Sequence, residues 1–332
     1  MLRGLELNPG AESGRRTATA QTLRLRLTGI RYAAHGIHLL EFGRPDGAAP
    51  LPAFTPGAHV DLHLANGLVR PYSLVNPPED TERYVVAVKR DPASRGGSAF
   101  VHEVLRVGAE LEVGVPRNNF ELHAGSAQAV FIAGGIGITP IACMVDRLRR
   151  DGRSWELHYS VRERREAAFV KELGDDRVHL HVDAESAGAL LDIAAIVAAA
   201  PADAHLYCCG PAPMLDAFEA AAGGRPPACV HVERFAPVAP GATGGGYTVR
   251  LAASKRSIPV APGRTILEAL REAGVEVQAS CEQGICGTCE TRVLGGLPDH
   301  RDSLLSAEER KSNRVMMICC SGSLGGELVL DL

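Results

Sequence analysis

The chain has 332 residues, of which 45% are hydrophobic and 22% are charged, and it carries a formal net charge of −4. These values are typical of a soluble globular protein, and the length suits two or three domains of about 100–150 residues each. The mild charge lacks the basic footprint of a nucleic-acid-binding protein, so that class is excluded. Because no run of about 18 apolar residues occurs, we also expect no membrane span.

The first 20 residues are polar, are rich in Gly, Ala and Ser, and lack the apolar core of a signal peptide. We therefore expect residues 1–20 to form a disordered extension and the protein to be cytoplasmic. In a reducing compartment, clustered cysteines bind metal or stay free more often than they form disulfides. The nine cysteines are consequently candidates for a metal site.

Residues 21–124 alternate short β-rich runs with turns that contain Gly, Pro, Asn and Asp. Many short strands at this spacing predict an antiparallel barrel or sandwich. The runs, in chain order, are LRLRLTGI, IHLLEF, HVDLHL, YVVAVKRD and ELEVGVP.

The pattern changes in residues 125–236, where strands alternate with helices. AVFIAGG is an apolar run of the kind that is buried in a parallel sheet, and the helical stretch TPIACMVDRLRRDG follows it. WELHYSV, HLHVD and AHLYCCG continue the series of strands. This alternation predicts a doubly wound α/β domain.

Residues 237–246 contain the Gly- and Pro-rich segment VAPGATGGG, which predicts a linker. Residues 247–332 begin with TVRLAAS and SIPVAPG, two runs that predict a hairpin. A helix (TILEALREAG), a Cys-rich loop and the strands ETRVL and ELVLDL follow. The last region is therefore expected to be a third, smaller domain.

This third region carries cysteines at a specific spacing. Cys281, Cys286 and Cys289 form C-x4-C-x2-C, and 29 residues separate Cys289 from Cys319. This is the ligand spacing of plant-type [2Fe–2S] ferredoxins, in which a short loop supplies three thiolates and a distant strand supplies the fourth. A zinc site is the alternative, but such sites usually come as two C-x2-C pairs.

Small residues in the cysteine loop agree with a cluster. Gly284, Gly287 and Thr288 allow backbone N–H groups to approach the sulfides and tune the potential. Cys320 lies next to Cys319, and only one of the two can ligate in a simple site. Cys319 fits the ferredoxin pattern better, so we predict that Cys320 is a packed thiol.

Two segments of the α/β region are candidates for nucleotide binding. GGIGITP, at residues 134–140, follows an apolar strand and opens a helix, where glycines and the helix N-terminus suit a diphosphate. It departs from G-x-G-x-x-G at Pro140, and a tight turn is the alternative. YCCGP, at residues 207–211, ends another strand, which makes Cys209 a candidate to lie beside a nicotinamide. A strand-end turn with buried thiols is the alternative there.

RPYSL, at residues 70–74, is the flavin candidate. Arg70 offers a bidentate contact to phosphate, Tyr72 an aromatic face and Ser73 a hydroxyl. RGGS, at residues 95–98, is expected to complete a phosphate pocket, and Lys89 to add positive charge. In isolation, these are also ordinary strand and turn residues.

The order RPYS, GGIGITP, CCGP and terminal C-x4-C-x2-C…C resembles the phthalate dioxygenase reductase family. Within that family, the chain is most similar to the reductase components of vanillate O-demethylase-type oxygenases, over residues 22–332. The resemblance implies an antiparallel β-barrel that binds FMN and a doubly wound α/β domain that binds NADH. It also implies a C-terminal α+β plant-type ferredoxin domain of the β-grasp kind.

The resemblance also implies roles for individual residues. At the flavin it places Arg70, Tyr72, Ser73, Leu74, Gly96, Gly97 and Ser98. At the nucleotide it places Gly135, Gly137, Thr139, Pro140, Cys209, Gly210 and Pro211. Phe235 matches the aromatic residue that ends the nucleotide domain near the flavin. The implied cluster ligands are Cys281, Cys286, Cys289 and Cys319.

These cofactors predict an NADH-dependent electron-transfer oxidoreductase. A nicotinamide delivers two electrons as hydride and a [2Fe–2S] cluster accepts one, so a flavin, which does both, has to stand between them. No side chain is then required as a general acid or base. The predicted acceptor is the oxygenase component of a Rieske-type aromatic oxygenase or O-demethylase, and we expect a monomer.

Several alternatives stay open at this point. The acceptor is alternatively a cytochrome P450 or a di-iron oxygenase, and a non-catalytic iron–sulfur redox sensor is the alternative from another class. FAD-binding relatives exist in the superfamily, so FMN depends on the resemblance. Arg162, Arg164 and Arg165 follow WELHYSV, where an arginine favours the 2′-phosphate of NADPH. Glu163 and Glu166 interrupt that charge, and we predict NADH.

Overall fold

The structure, a computed structural model, describes residues 21–47, 49–125, 128–174 and 176–332. The predicted extension, residues 1–20, lies outside the described residues. Three large sheets form within residues 22–114, 128–233 and 247–330. Each sheet lies within one of the predicted domain ranges, whose boundaries stay predictions.

The first sheet is a closed antiparallel barrel. Its strand order is β4-β3-β6-β1-β2-β5, and a bridge between Leu74 and Val86 joins the end of β4 to β5. Leu25 and Leu27 are buried whereas Arg24 and Arg26 face outward, as strand alternation requires. The elements are β1 (Thr22–Ala34), β2 (Ile37–Gly43), β3 (His59–His63), β4 (Val69–Ser73), β5 (Arg83–Lys89), α1 (Gly97–Glu103) and β6 (Glu110–Gly114).

The second sheet is parallel, with the order β11-β10-β7-β8-β9. The strand order therefore reverses between β7 and β10, where ligands bind in open α/β sheets. Its elements are β7 (Gln128–Gly134), α2 (Ile138–Arg150), β8 (Ser154–Val161), α3 (Val170–Leu173), β9 (Val178–Val182), α4 (Ile193–Ala199), β10 (His205–Cys209), α5 (Ala212–Ala222) and β11 (Val230–Glu233).

Helices cover both faces of this sheet, as the prediction of a doubly wound domain requires. On one face, Ile141 and Leu148 of α2 pack in a cluster with Trp155 and Leu157 of β8. On the other face, the buried side chains of α4 and α5 pack against β7 and β10; among them are Val197, Phe218, Ile132 and Leu206.

The third sheet is mixed, with the order β13-β12-β18-β14-β16 and a parallel pair between β12 and β18. Helix α6 packs on it and begins with a reciprocal capping box between Thr265 and Glu268. The elements are β12 (Tyr247–Leu251), β13 (Ser257–Val260), α6 (Ile266–Glu272), β14 (Glu290–Gly295), β15 (Pro298–Asp299), α7 (Ala307–Ser312), β16 (Val315–Met317), β17 (Gly322–Ser323) and β18 (Glu327–Leu330). The predicted fold class, with its barrel, doubly wound and α+β parts, is confirmed.

An apolar cluster joins the barrel to the parallel-sheet domain. Ile37, Leu39 and Val85 of the barrel pack there with Ala168, which belongs to the segment between β8 and α3. At the rim of the cluster, the backbone N–H of His35 donates to the carbonyl oxygen of Arg165 at 2.8 Å. In the described part of the chain, no helix is long and apolar enough to cross a bilayer.

Imidazole rings stack at the amino ends of β10 and β11. The ring centroids of His123 and His205 are 4.1 Å apart, and those of His205 and His231 are 5.1 Å apart. Nδ1 of His205 lies 2.9 Å from Nε2 of His231. Burial, with smaller contributions from the neighbouring imidazoles, lowers the pKa of His231 from 6.5 to about 4. The folded state therefore favours the neutral forms of His205 and His231.

We predict that this stack makes the protein acid-sensitive. The unfolded chain binds a proton at His231 near pH 6.5, whereas the folded chain does so only near pH 4. Stability should therefore fall as the pH drops through that window, and His231→Phe should flatten the fall. Urea unfolding between pH 7.5 and pH 4.5 measures this, with His35→Gln at an exposed position as the control. Parallel pH profiles for the wild type and His231→Phe would contradict the prediction.

Candidate functional site

The two glycine-containing loops pack against each other at the point where the strand order reverses. A Cβ on Gly137 would lie 2.1 Å from the carbonyl oxygen of Cys209, and a Cβ on Gly134 would lie 2.6 Å from Cδ of Pro211. Gly135 has a φ of +54°. These approaches exclude side chains, so glycine is required for reasons of both space and backbone conformation.

The other predicted nucleotide contacts lie at the same edge of the sheet. Oγ1 of Thr139 donates to the carbonyl oxygen of Ile136 at 3.0 Å, which fixes the turn that leads into α2. Pro140 is buried within the first turn of α2. The backbone of Gly210 lies against Gly134, and Pro211 caps α5. The structure therefore brings the GGIGITP and CCGP segments together.

Phe235 lies two residues beyond the end of β11, the strand next to β10. Its side chain is 40% exposed, which leaves an aromatic face available at this edge.

Glu233 is a candidate site residue that sequence reasoning passed over. It is the register neighbour of Cys209 across the β10–β11 pair, and its Oε2 atom is buried with no hydrogen-bond partner among the described residues. Burial raises the pKa of Glu233 to about 8 and raises that of the Cys209 thiol well above its usual value. The site thus holds a protonated carboxyl near neutral pH. Only the strand pairing reveals it.

The predicted phosphate pocket is assembled from two parts of the barrel. A Cβ on Gly97 would lie 2.9 Å from Cγ of Arg70, so the side chain of Arg70 rests directly on the glycine. Gly96 has a φ of +95°, which favours glycine. Ser98 Oγ accepts from the N–H of Asp91 at 3.2 Å. Lys89 instead pairs with Glu166 at 3.0 Å, across the boundary between the two domains.

Strand β4 places three further predicted flavin contacts. Ser73 is buried, and its Oγ has no partner among the described residues, so it is available to a bound group. Burial raises the pKa of Tyr72 to about 12, against the opposing effect of Arg70. Leu74 is buried, and its N–H donates to the carbonyl oxygen of Ala58 at 2.8 Å. The Tyr72 ring and the unpartnered Ser73 hydroxyl thus lie on opposite faces of the same strand end.

All four predicted cluster ligands are buried. Cys281 and Cys286 lie in the loop between α6 and β14, Cys289 immediately precedes β14, and Cys319 follows β16. The N–H of Ile318 donates to the carbonyl oxygen of Cys289 at 3.4 Å, which brings the distant segment to the loop. The side chain of Cys281 interacts with Cys286 and Cys319, and that of Cys289 with Cys319.

The four sulfur atoms are not as close together as the ligands of a single bound zinc ion. Around one tetrahedral zinc, with bonds of about 2.3 Å, sulfur atoms stand about 3.8 Å apart. In the described chain, these sulfurs do not form a group of three within 4.8 Å of one another. The ligand spacing along the chain is the observation that favours a binuclear cluster over a mononuclear site.

Glycines and polar donors shape the cysteine loop. The N–H of Gln283 donates to Sγ of Cys281 at 3.3 Å, and Oγ1 of Thr288 lies 3.2 Å from Sγ of Cys286. Gly284 has a φ of +71°, and a Cβ there would lie 2.5 Å from Sγ of Cys320. Cys320 therefore packs beneath the loop, as a packed thiol would.

One hydrogen bond reaches the cysteine loop from the segment that follows the barrel. Nδ2 of Asn119, which lies just beyond the barrel strand β6, donates to the carbonyl oxygen of Cys286 at 3.1 Å. Neighbouring Asn118 donates to Oγ1 of Thr55 at 2.7 Å and so fixes this segment to the barrel. The cysteine loop is thereby held against the barrel.

Comparison with known proteins agrees with this geometry. Residues 249–322 match the family model of the 2Fe-2S iron-sulfur cluster binding domain. This range includes all four predicted ligands, and the prediction of an iron–sulfur domain is confirmed.

The similarity extends over nearly the whole chain. The chain is 55% identical to the phenoxybenzoate dioxygenase subunit beta of Ectopseudomonas oleovorans, over 95% of this chain and 99% of the relative. The chain also matches the solved structure of phthalate dioxygenase reductase, described as modular for electron transfer from pyridine nucleotides to [2Fe–2S]. The match covers 94% of this chain and 98% of the reductase, with 38% identity and a TM-score of 0.72. The chain belongs to the phthalate dioxygenase reductase family.

Two further members of this comparison bear on the electron acceptor. A vanillate O-demethylase oxidoreductase from a Pseudomonas species is 43% identical over 92% of this chain and 98% of the relative. An intact type IV self-sufficient cytochrome P450 monooxygenase is 37% identical over 94% of this chain, with a TM-score of 0.84. This chain spans only 41% of the length of that P450. The predicted family resemblance is confirmed.

We predict that Gly137→Ala impairs nucleotide binding. The new Cβ would overlap the Cys209 carbonyl, so the two loops must separate, at a cost of about 1–3 kcal/mol in stability. The KM for NADH should rise at least about tenfold, the equivalent of 1.4 kcal/mol. Steady-state kinetics with an artificial acceptor and thermal unfolding measure the two effects. Gly224→Ala is the matched control, because nothing lies within 4 Å of its Cβ position. Equal KM values in the two variants would overturn the assignment.

We also predict that Cys319 and Cys320 differ in function. Cys319→Ser should lose most of the cluster because the fourth thiolate is removed. Cys320→Ser should retain it, since that side chain packs under Gly284. Iron and sulfide content per chain, together with the electron paramagnetic resonance (EPR) spectrum of the reduced protein, measure the difference. A cluster that survives Cys319→Ser but not Cys320→Ser would show that the ligand is Cys320.

Proposed function

We propose that this chain is the reductase component of a Rieske-type aromatic-ring oxygenase or O-demethylase system. It would carry electrons from NADH through FMN to a [2Fe–2S] cluster and then to the oxygenase. The observation that carries the proposal is that one chain combines three features. These are the paired GGIGITP and CCGP loops at the sheet edge, the end of β4 with the unpartnered Ser73 hydroxyl, and four buried thiols. The names of its relatives, a dioxygenase subunit and an O-demethylase oxidoreductase, support the oxygenase as acceptor.

The residues of the chain position the hydride donor. The close packing of Gly137 and Gly210, which leaves no room for side chains, would let a diphosphate approach the backbone at the switch point of the sheet. The nicotinamide would then lie beside Cys209, whose thiol stays neutral because burial raises its pKa. Glu233 would hold a proton beside it. A preorganised donor and acceptor lower the barrier without any general acid or base.

The flavin site would be formed by β4 and the segment before α1. Arg70, resting on Gly97, would hold the phosphate, and the unpartnered Ser73 hydroxyl would bond to the ring. The chemistry that a flavin supplies there is the conversion of one hydride into two single electrons. Asn119, through its bond to the Cys286 carbonyl, would keep the cluster loop close enough to receive them.

The nucleotide is proposed to be NADH. In the arginine run after β8, Arg164 pairs with Glu185 and Arg165 pairs with Glu163 at 2.7 Å. Among the described residues, two of the three arginines are therefore neutralised, which leaves Arg162 as the one charge of the run to meet a 2′-phosphate. We further propose that the protein is a monomer of the cytoplasm, where its nine cysteines, all unpaired in the structure, would stay reduced.

The second candidate acceptor is a cytochrome P450. The self-sufficient P450 monooxygenase that includes a similar segment is the observation that favours it. A separate P450 partner would need the same three cofactors and the same internal electron path.

A single experiment tests the electron path and the acceptor. We expect flavin and [2Fe–2S] absorption of the anaerobic protein both to bleach within seconds of adding one equivalent of NADH. The reduced protein should then reoxidise rapidly with a purified Rieske oxygenase component, and slowly with a P450 or di-iron oxygenase. Mass spectrometry of the released flavin should identify FMN.

Each possible outcome is informative. A spectrum with a cluster but no flavin, or no response to NADH, would refute the reductase function and favour a sensor. Bleaching with NADH followed by rapid oxidation only by a P450 would retain the reductase and replace its partner.

A further inference from the structure

Two histidines and a glutamate meet on one face of the parallel sheet, away from the cofactor sites. Glu156 and His158 are two residues apart on β8, so they point to the same face. His179 on the edge strand β9 is the direct register partner of His158. These side chains do not belong to the GGIGITP and CCGP loops at the carboxyl edge, and the proposed electron path makes no use of them.

The potential ligand atoms of these three residues converge. Oε1 of Glu156 lies 3.3 Å from Nε2 of His158 and 2.9 Å from Nε2 of His179. The ligand atoms of all three residues lie within 4.8 Å of one another. Around a tetrahedral zinc ion with bonds of about 2.1 Å, ligand atoms stand about 3.4 Å apart. Small side-chain rotations would therefore complete a coordination shell.

The spacing and the exposure of these side chains suit a metal ion, and one ring has to rotate before both nitrogen lone pairs point at the same ion. The two imidazoles are stacked, with centroids 4.8 Å apart and an interplanar angle of 24°. A neutral imidazole offers one nitrogen lone pair to a metal ion, and two imidazoles meet here. The side chains of His179 and Glu156 are 49% and 36% exposed, which leaves a path for an ion and room for water ligands.

We propose that Glu156, His158 and His179 form a binding site for a divalent transition-metal ion of the zinc class. Two imidazole nitrogens and one carboxylate oxygen would bind the ion, and water would fill the remaining position. Imidazole and carboxylate ligands in this ratio suit zinc, copper, nickel or iron(II) rather than magnesium or calcium. The bound ion would link the edge strand β9 to β8 and stabilise the parallel-sheet domain.

The site is tested by titrating the oxidised, cofactor-loaded protein with Zn²⁺ in isothermal calorimetry. We expect one ion per chain with a Kd of micromolar or below, and a rise in the thermal unfolding temperature. His179→Ala and Glu156→Gln should each weaken binding at least about tenfold, the equivalent of 1.4 kcal/mol. Both positions are partly exposed, so both variants should fold and keep NADH-dependent reduction of an artificial acceptor.

His181→Ala is the matched control. His181 is on the same strand as His179, but its Nε2 lies 2.8 Å from the carbonyl oxygen of Ala189. Its removal should leave the Zn²⁺ affinity unchanged.

A second measurement identifies the ligands directly. With substoichiometric Cu²⁺, EPR of the oxidised protein should show coupling to two imidazole nitrogens in the wild type and to one in His179→Ala. Zn²⁺ affinity that is the same in all variants, or lost in His181→Ala alone, would overturn the proposed site. The small copper hyperfine splitting of a thiolate-bound ion would equally overturn it, because the ion would then lie at cysteines.

Discussion

The packing of the barrel against the parallel-sheet domain determines how the two proposed cofactor sites face each other. Ile37, Leu39, Val85 and Ala87 present an apolar surface on the barrel, and Ala168 with Phe169 fits against it. Apolar packing of this kind is non-directional, so polar contacts at its rim have to fix the orientation. The Lys89–Glu166 ion pair and the backbone bond from His35 to Arg165 do so from two sides. Chemistry that transfers a hydride between two bound molecules depends on that orientation.

Within this frame, the nucleotide edge is formed by backbone rather than by side chains. The approach of Gly137 to the Cys209 carbonyl allows no Cβ, and a Cβ on Gly210 would lie 3.2 Å from the backbone of Gly134. Charged side chains have less free charge to offer cofactor phosphates than the sequence predicted. Lys89, Arg164 and Arg165 all pair with glutamates. A neutral and tightly packed edge also explains why burial can keep both Cys209 and Glu233 in their protonated forms.

Much of this could be predicted from the sequence because the signals are local. Short β-rich runs separated by turns predicted an antiparallel barrel or sandwich, the GGIGITP segment predicted a strand-to-helix turn, and the C-x4-C-x2-C spacing predicted the iron–sulfur domain. The contacts that were missed depend on register between distant strands. Glu233 meets Cys209, and His179 meets His158, only because β11 and β9 pair with their neighbours in one register. The hydrogen bond from Asn119 to Cys286 spans 167 positions, and no local sequence pattern predicts it.

The third domain differs from the other two in how it is attached. Its core, built around Val249, Ile266, Leu270 and Leu328, contains only residues from 247 onward. Besides the Gly- and Pro-rich linker, the hydrogen bond from Asn119 ties its cluster loop to the rest. A domain that has its own hydrophobic core can be joined to another position in a gene without loss of the core of the remaining domains. Evolution can therefore reposition or exchange such a module between electron-transfer chains, provided that the few residues at the point of contact are inherited with it.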